Sequence, residues 1–150
     1  MPVSKNIIAI LNKKIFDKYT ILKKIFKNNK IKSLQLNNDT LGQSDTCYKA
    51  KKIINQNEDL FIHSCDYVMK YSYKKFKKIS SSCDVIIFTF KLKSSIIKNY
   101  NDFAYCKEKK GKVISISEKK IISSNPQHDH MAIGTFWFKK ASDFFEMHEQ

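Results

Sequence analysis

Three short groups of polar residues stand where a chain could hold a phosphorylated ligand. Asp66 closes the apolar run LFIHSCDY. A carboxylate at a strand end can hold a hard divalent cation beside a phosphate; it can equally cap a helix that begins at Tyr67. Gly42–Gln43 lies in TLGQSDT. Glycine lets backbone approach a flat ligand closely, and a glutamine side chain can hydrogen-bond the edge of a nucleobase; the plainer reading is a turn before a helix. Glu118–Lys119 ends VISISEKK. There a carboxylate can accept sugar hydroxyls and an ammonium can neutralise a phosphate, or both charges simply face solvent.

Other chemistries find no support in residue type and spacing. The histidines are His63, His128, His130 and His148. His128 and His130 share a face only if that stretch is extended, and no third ligand accompanies them. No serine sits in a GxSxG setting. With Gly42, Gly111 and Gly134 as the only glycines, neither a Walker A loop nor a GxGxxG turn can form. Cys47, Cys65, Cys83 and Cys106 are widely spaced, without a CxxC pair or a nearby histidine. Neither a zinc site nor a disulfide framework is expected. The cysteines read as reduced, mostly buried thiols, in keeping with a cytoplasmic location.

The elements that must position these residues follow from hydrophobic periodicity. Continuous apolar runs predict strands at Ile7–Leu11, Ile31–Leu36, Leu60–His63 and, most clearly, Asp84–Phe90. Helical spacing predicts helices from Tyr19 to Phe26 with Asp17 as cap, from Ser44 or Asp45 through Ile54, and from Tyr67 to Ile79. Phe103–Lys107 and Lys112–Glu118 read as two strands joined by a Lys-Lys-Gly turn. His130–Phe138 is a further strand and Ala141–Glu149 a closing helix. Alternation of strand and helix over the first ninety or so residues implies βαβ units. The expected fold class is therefore α/β, a three-layer α/β/α sandwich on a mainly parallel, Rossmann-like sheet. In such sheets ligands collect at the carboxyl ends of strands.

The length of 150 residues allows a single domain, 1–150. The net charge of +14 suggests a polyanionic partner. Every basic residue counted in it is lysine, however, and without arginine's fork sequence-specific nucleic-acid recognition is not expected. Loose phosphate attraction remains open, so a small Lys-rich polyanion-binding or interaction protein without catalysis is the alternative reading. Ile7–Leu11 is too short to span a membrane and no small-residue cleavage site follows, so neither membrane insertion nor a signal peptide is expected.

The order of the motifs carries more than any one of them. TLGQSDTCYKA, LFIHSCDY, DFAYCKEKKGKVISISEKK and HMAIGTFWF, taken together, resemble the sugar-1-phosphate nucleotidyltransferases, which make nucleoside-diphosphate sugars. They match that family's Gly-Thr-Ala-type stretch, its strand ending in Gly-Asp, its Tyr-Gly to Glu-Lys-Pro segment and the strand after it. Cys65 replaces the usual glycine, Phe103–Ala104 stand for Tyr-Gly, and Lys120 replaces the proline. The resemblance implies transfer of a nucleotidyl group to a sugar 1-phosphate for cell-surface polysaccharide precursors, with magnesium at Asp66. It implies Gly42 and Gln43 at the base, and Ala104, Glu118, Lys119 and Gly134 at the sugar phosphate. The family opens with a Gly-rich loop that cradles the triphosphate. Met1–Lys5 precede the first strand here without one, so the expectation is an incomplete domain, a truncated or weakly active form lacking the N-terminal Gly-rich loop. Nucleotide and sugar phosphate are the implied ligands, and an oligomer or a partner completing the sheet is the implied assembly.

Overall fold

The computed structural model describes residues 6–91 and 99–150. Its first unit is a parallel pair, β1 (Ile8–Asn12) and β2 (Lys32–Leu36), in register from Ile8–Lys32 to Asn12–Leu36. The crossover between them holds α1 (Lys13–Lys18) and α2 (Thr20–Asn28). Asn12, rather than Asp17, provides the first cap: its side chain accepts from the Lys14 amide at 2.8 Å. Asp17 lies inside α1 and faces Lys23 at 3.6 Å. Among the described residues, β1 and β2 have no strand partner other than each other.

The second unit departs from the expected fold class. It is a five-stranded sheet of β3 (Leu60–Ile62), β4 (Val85–Phe90), β5 (Ala104–Lys109), β6 (Lys112–Glu118) and β7 (His130–Phe138). All of its pairings are antiparallel. The mainly parallel Rossmann-like sandwich is thus overturned, with parallel pairing confined to β1–β2. The cause is β7. This nine-residue apolar strand takes β3 and β4 as neighbours on its two sides: Phe138 pairs with Leu60 on one and Val85 on the other. Among the described residues, strands β3 and β4, which alternation alone would set side by side, form no ladder with each other. Sequence alternation reports local connections, whereas a strand arriving from forty residues away can claim the centre of the sheet.

Strand alternation sends successive side chains to opposite faces. On one face Ile62 and Phe138 pack with Ala141, Phe144 and Phe145 of α5 (Ala141–Glu149). Cys47 and Tyr48 of α3 (Gln43–Tyr48) join that core. On the other face the Phe61 and Phe88 rings lie 5.5 Å apart, tilted by 58°, and Trp137 meets Phe76 of α4 (Tyr73–Ser80) edge-on at 5.7 Å. The Trp137 indole donates to Asp59 at 2.9 Å.

Two helices are shorter than their periodicity predicts. α3 stops at Tyr48, after which Lys51–Ile53 form a 3-10 turn. α4 begins at Tyr73 instead of Tyr67, because Ser72 accepts from the Lys75 amide and caps it there. All four cysteines are free thiols. Cys106 is buried, Cys47 and Cys83 are half-buried and Cys65 is exposed, so the expectation of mostly buried thiols is met in full by Cys106 alone. Burial pushes the Cys47 thiol up to about 11. Among the described residues no helix is long and apolar enough to cross a membrane.

Candidate functional site

One side of β7 is only partly covered. β3 pairs with Phe136–Phe138 and β5 with His130 and Met131, both across from β4. The stretch Ala132–Thr135 between them has no ladder partner on that side among the described residues. On the β4 side the register jumps from Ile87–Phe136 to Thr89–Ala132, so β7 bulges there. Gly134 sits in the bulge with φ of +65°, a left-handed conformation that favours glycine.

Over this gap opens a cleft of about 480 Å³, lined by Ser64, Asp66, Tyr67, Phe90, Phe103 and the β7 segment Ala132–Gly134. Its walls are mostly apolar, with Phe90 and Phe103 meeting edge-on at 6.1 Å. A few polar groups converge on it, which is the usual character of a small-molecule site. Gln43, at the start of α3, reaches across 91 positions of sequence to donate from Nε2 to the Gly134 carbonyl at 2.7 Å.

Beneath the floor lies a network that residue spacing did not reveal. The Thr135 side chain is fully buried. Its hydroxyl is 2.7 Å from His63 Nδ1 and also meets the Tyr67 hydroxyl. A hydroxyl has one donor and two acceptor sites, so Thr135 can satisfy both and hold the Tyr67 ring against the cleft. Burial pushes the Tyr67 phenol above its usual range, and the Thr135 hydrogen bond pulls against that rise. A lone threonine between apolar residues in a central strand is the available sequence signal.

Asp66 is exposed at the rim and accepts from the Ser64 hydroxyl. Since α4 is capped by Ser72, the capping role for Asp66 falls away. Ala104 pairs with Glu118 across the β5–β6 ladder. The Lys119 amide then donates to the Phe103 carbonyl at 3.0 Å. Lys119 does so with φ of +53°, uncommon for a non-glycine residue. Glu118 and Lys119 are exposed and adjoin the Phe103 wall without lining the cleft. Gly42 is the N-cap residue of α3, one residue from Gln43, and points no side chain anywhere.

The fold therefore sets Asp66 and Gly134 on the lining of one opening, with Gln43 bonded to Gly134 behind it, Ala104, Glu118 and Lys119 on the β5–β6 side next to Phe103, and Gly42 one position before Gln43. A second hollow of about 430 Å³ lies beyond β2, lined by Asn37, Asn38, Asp39, Thr40, Asp45 and Lys49 among others. Asp39 there accepts from the Asn12 side chain at 3.3 Å, and Asp45 is already paired with Lys49 at 2.9 Å and accepts from the Leu41 amide. Those contacts hold the Asp45 carboxyl below its usual range, the Lys49 hydrogen bond most of all.

For magnesium, Asp66 supplies one carboxylate, and among the described residues no three His, Cys, Asp or Glu side chains gather into a ligand cluster. That donor set suits an ion held by a single carboxylate, ligand phosphates and water, a common arrangement for Mg²⁺. No protein-family model matches this chain, and no curated protein matches it.

Proposed function

We propose that the cleft binds a sugar phosphate or nucleotide, and that these residues form a nucleotidyltransferase-like domain with little transfer activity. The observation carrying this reading is the Gln43–Gly134 hydrogen bond, which joins the first and last of the four motif segments at the cleft that Asp66 borders. The reading rests on the cleft and not on the sheet, whose antiparallel pairing is not the one the resemblance implied. In it, Gln43 exchanges its bond to Gly134 for the edge of a base. Phe90, Phe103 and Tyr67 exclude water from the ligand's flat faces. Glu118 accepts sugar hydroxyls and Lys119 offers its ammonium to phosphate. Magnesium, when bound at Asp66, neutralises phosphate oxygens. Transfer is expected to be poor because no Gly-rich phosphate cradle exists among three isolated glycines, and losing even one preorganised donor costs on the order of 10²–10³ in rate.

Titration with glucose 1-phosphate and with UTP, each with and without magnesium, checks this. Dissociation constants of about 1 mM are expected, weakened roughly tenfold by Asp66→Ala in magnesium only, with no measurable pyrophosphate release. Absence of binding at millimolar ligand, or magnesium-dependent binding that Asp66→Ala leaves intact, would refute the proposal.

One feature favours the polyanion alternative. On α4, Lys74, Lys75, Lys77 and Lys78 are exposed beside Tyr73, and Lys77 lies 5.7 Å from the Tyr73 ring centre. Basic side chains interleaved with an aromatic suit a phosphate backbone. Polyphosphate binding that is lost with salt and indifferent to Asp66→Ala would support that reading.

A further inference from the structure

We infer that two copies of this chain associate through β6, edge to edge and antiparallel, with Ser115 of one copy opposite Ser115 of the other. β6 ends the strand order of the sheet, and its outer side has no strand partner among the described residues. A bare strand edge is a template for pairing with another chain, and proteins usually guard it with charges, proline or bulges. β6 has one such guard, a bulge at Ile114, where Lys107 and Glu108 face Ser115 and Val113. Between Lys112 and Glu118 it carries no charge and no proline. Val113, Ile114 and Ile116 are 46%, 57% and 57% exposed.

The order of residues selects both partner and register. In KVISISE, rotation about Ser115 sets Lys112 opposite Glu118 of the second copy, and Glu118 opposite its Lys112. Ile114 then faces Ile116, twice over. Sliding by one residue in one sense puts Lys112 against Lys119; in the other it puts Glu118 against Gly111. Among these registers, the Ser115-centred one makes both ion pairs and both Ile–Ile pairs, and directly opposed cross-strand pairs are what stabilise a sheet. A different protein would have to reproduce this complementarity, whereas a second copy supplies it by symmetry. The pairing also carries the second copy's Lys109–Lys110 turn toward the Glu118 end of β6, beside the Phe103 wall of the cleft.

Each copy carries a charge of +14, so long-range repulsion opposes association at low salt. Salt screens it over about 10 Å at 0.1 M and about 3 Å at 1 M. The dimer should accordingly tighten as salt rises, opposite to a complex held by lysine–phosphate attraction. Sedimentation equilibrium of the full chain at low and high salt tests this. A monomer–dimer equilibrium that shifts toward dimer with salt is expected. Ile116→Lys should abolish it, with circular dichroism unchanged because Ile116 faces solvent. Lys112→Glu and Glu118→Lys should each weaken self-association about tenfold by opposing like charges, and an equimolar mixture of the two variants should regain dimer by pairing with each other. A chain monomeric at all concentrations and salts would overturn the inference. So would a dimer surviving Ile116→Lys, or a variant mixture that stays as weak as its components.

Discussion

Gly134→Val is expected to lower stability by about 1–3 kcal/mol and to abolish binding in the cleft. Two effects act together. The backbone at Gly134 holds φ of +65°, where a β-branched side chain is a genuine outlier, and strain of this kind costs about 1–3 kcal/mol. A Cβ there would also lie 3.3 Å from Gln43 Oε1 and 3.6 Å from the Ser64 Cβ. The Gln43 amide would have to withdraw from the β7 carbonyl it now meets, and valine's two methyls would enter the space a ligand needs. Urea unfolding and glucose 1-phosphate titration measure the two effects separately. Gly111→Asn is the control. Its φ is also positive, at +78°, but nothing lies within 4 Å of an added Cβ, and asparagine tolerates that region. If Gly134→Val proves as stable as the parent, the bulge is not a fixed part of the fold.

The largest loss of stability is expected from Phe145→Ala, about 3–5 kcal/mol, equivalent to a fall in Tm of roughly 6–20 °C. Phe145 is 1% exposed. Its ring meets Tyr48 edge-on at 6.1 Å and Phe144 at 5.2 Å. Those contacts clamp α3 onto α5 and the sheet, and α3 presents Gln43. Truncation therefore opens a cavity in the core and loosens the helix that spans the cleft. A domain whose whole stability is about 5–15 kcal/mol would retain little at 37 °C. Phe145→Leu, which fills most of the volume, should lose far less. Calorimetry checks both, and a fall below about 2 °C for Phe145→Ala would show that α5 is not part of the cooperative core.

Strand identity was readable in this sequence where apolar residues run together. DVIIFTF and HMAIGTFWF announce β4 and β7 because an unbroken apolar run suits a strand covered on both faces of its sheet. The Lys-Lys-Gly turn between β5 and β6 was equally visible. Pairing was not, since nothing local to HMAIGTFWF says that it will lie between strands ending near residues 62 and 90. The helices misled at their starts. Asp17 and Asp66 are good capping residue types, but Asn12 and Ser72 lie where the chain leaves extended structure and so take the role. Of the residues flagged by chemical type, Gln43 and Gly134 are hydrogen-bonded to each other, and Asp66 and Gly134 line the same cleft. Thr135 was not singled out and the contact of His63 with it was not foreseen, because their importance lies in burial and mutual contact, which only the fold creates.

The separation of β1–β2 from the five-stranded sheet divides the chain energetically. From Ile8 to Leu36 the sole buried side chain is Phe16, and among the described residues no strand pairing ties this stretch to the rest. Opening it exposes little apolar surface and severs no ladder of the second sheet, so it is the cheapest part of the native state to unfold. Opening β7 breaks pairings with three strands at once. Native-state fluctuations of such a chain are graded: partial unfolding begins at the amino-terminal βααβ unit and leaves the cleft standing.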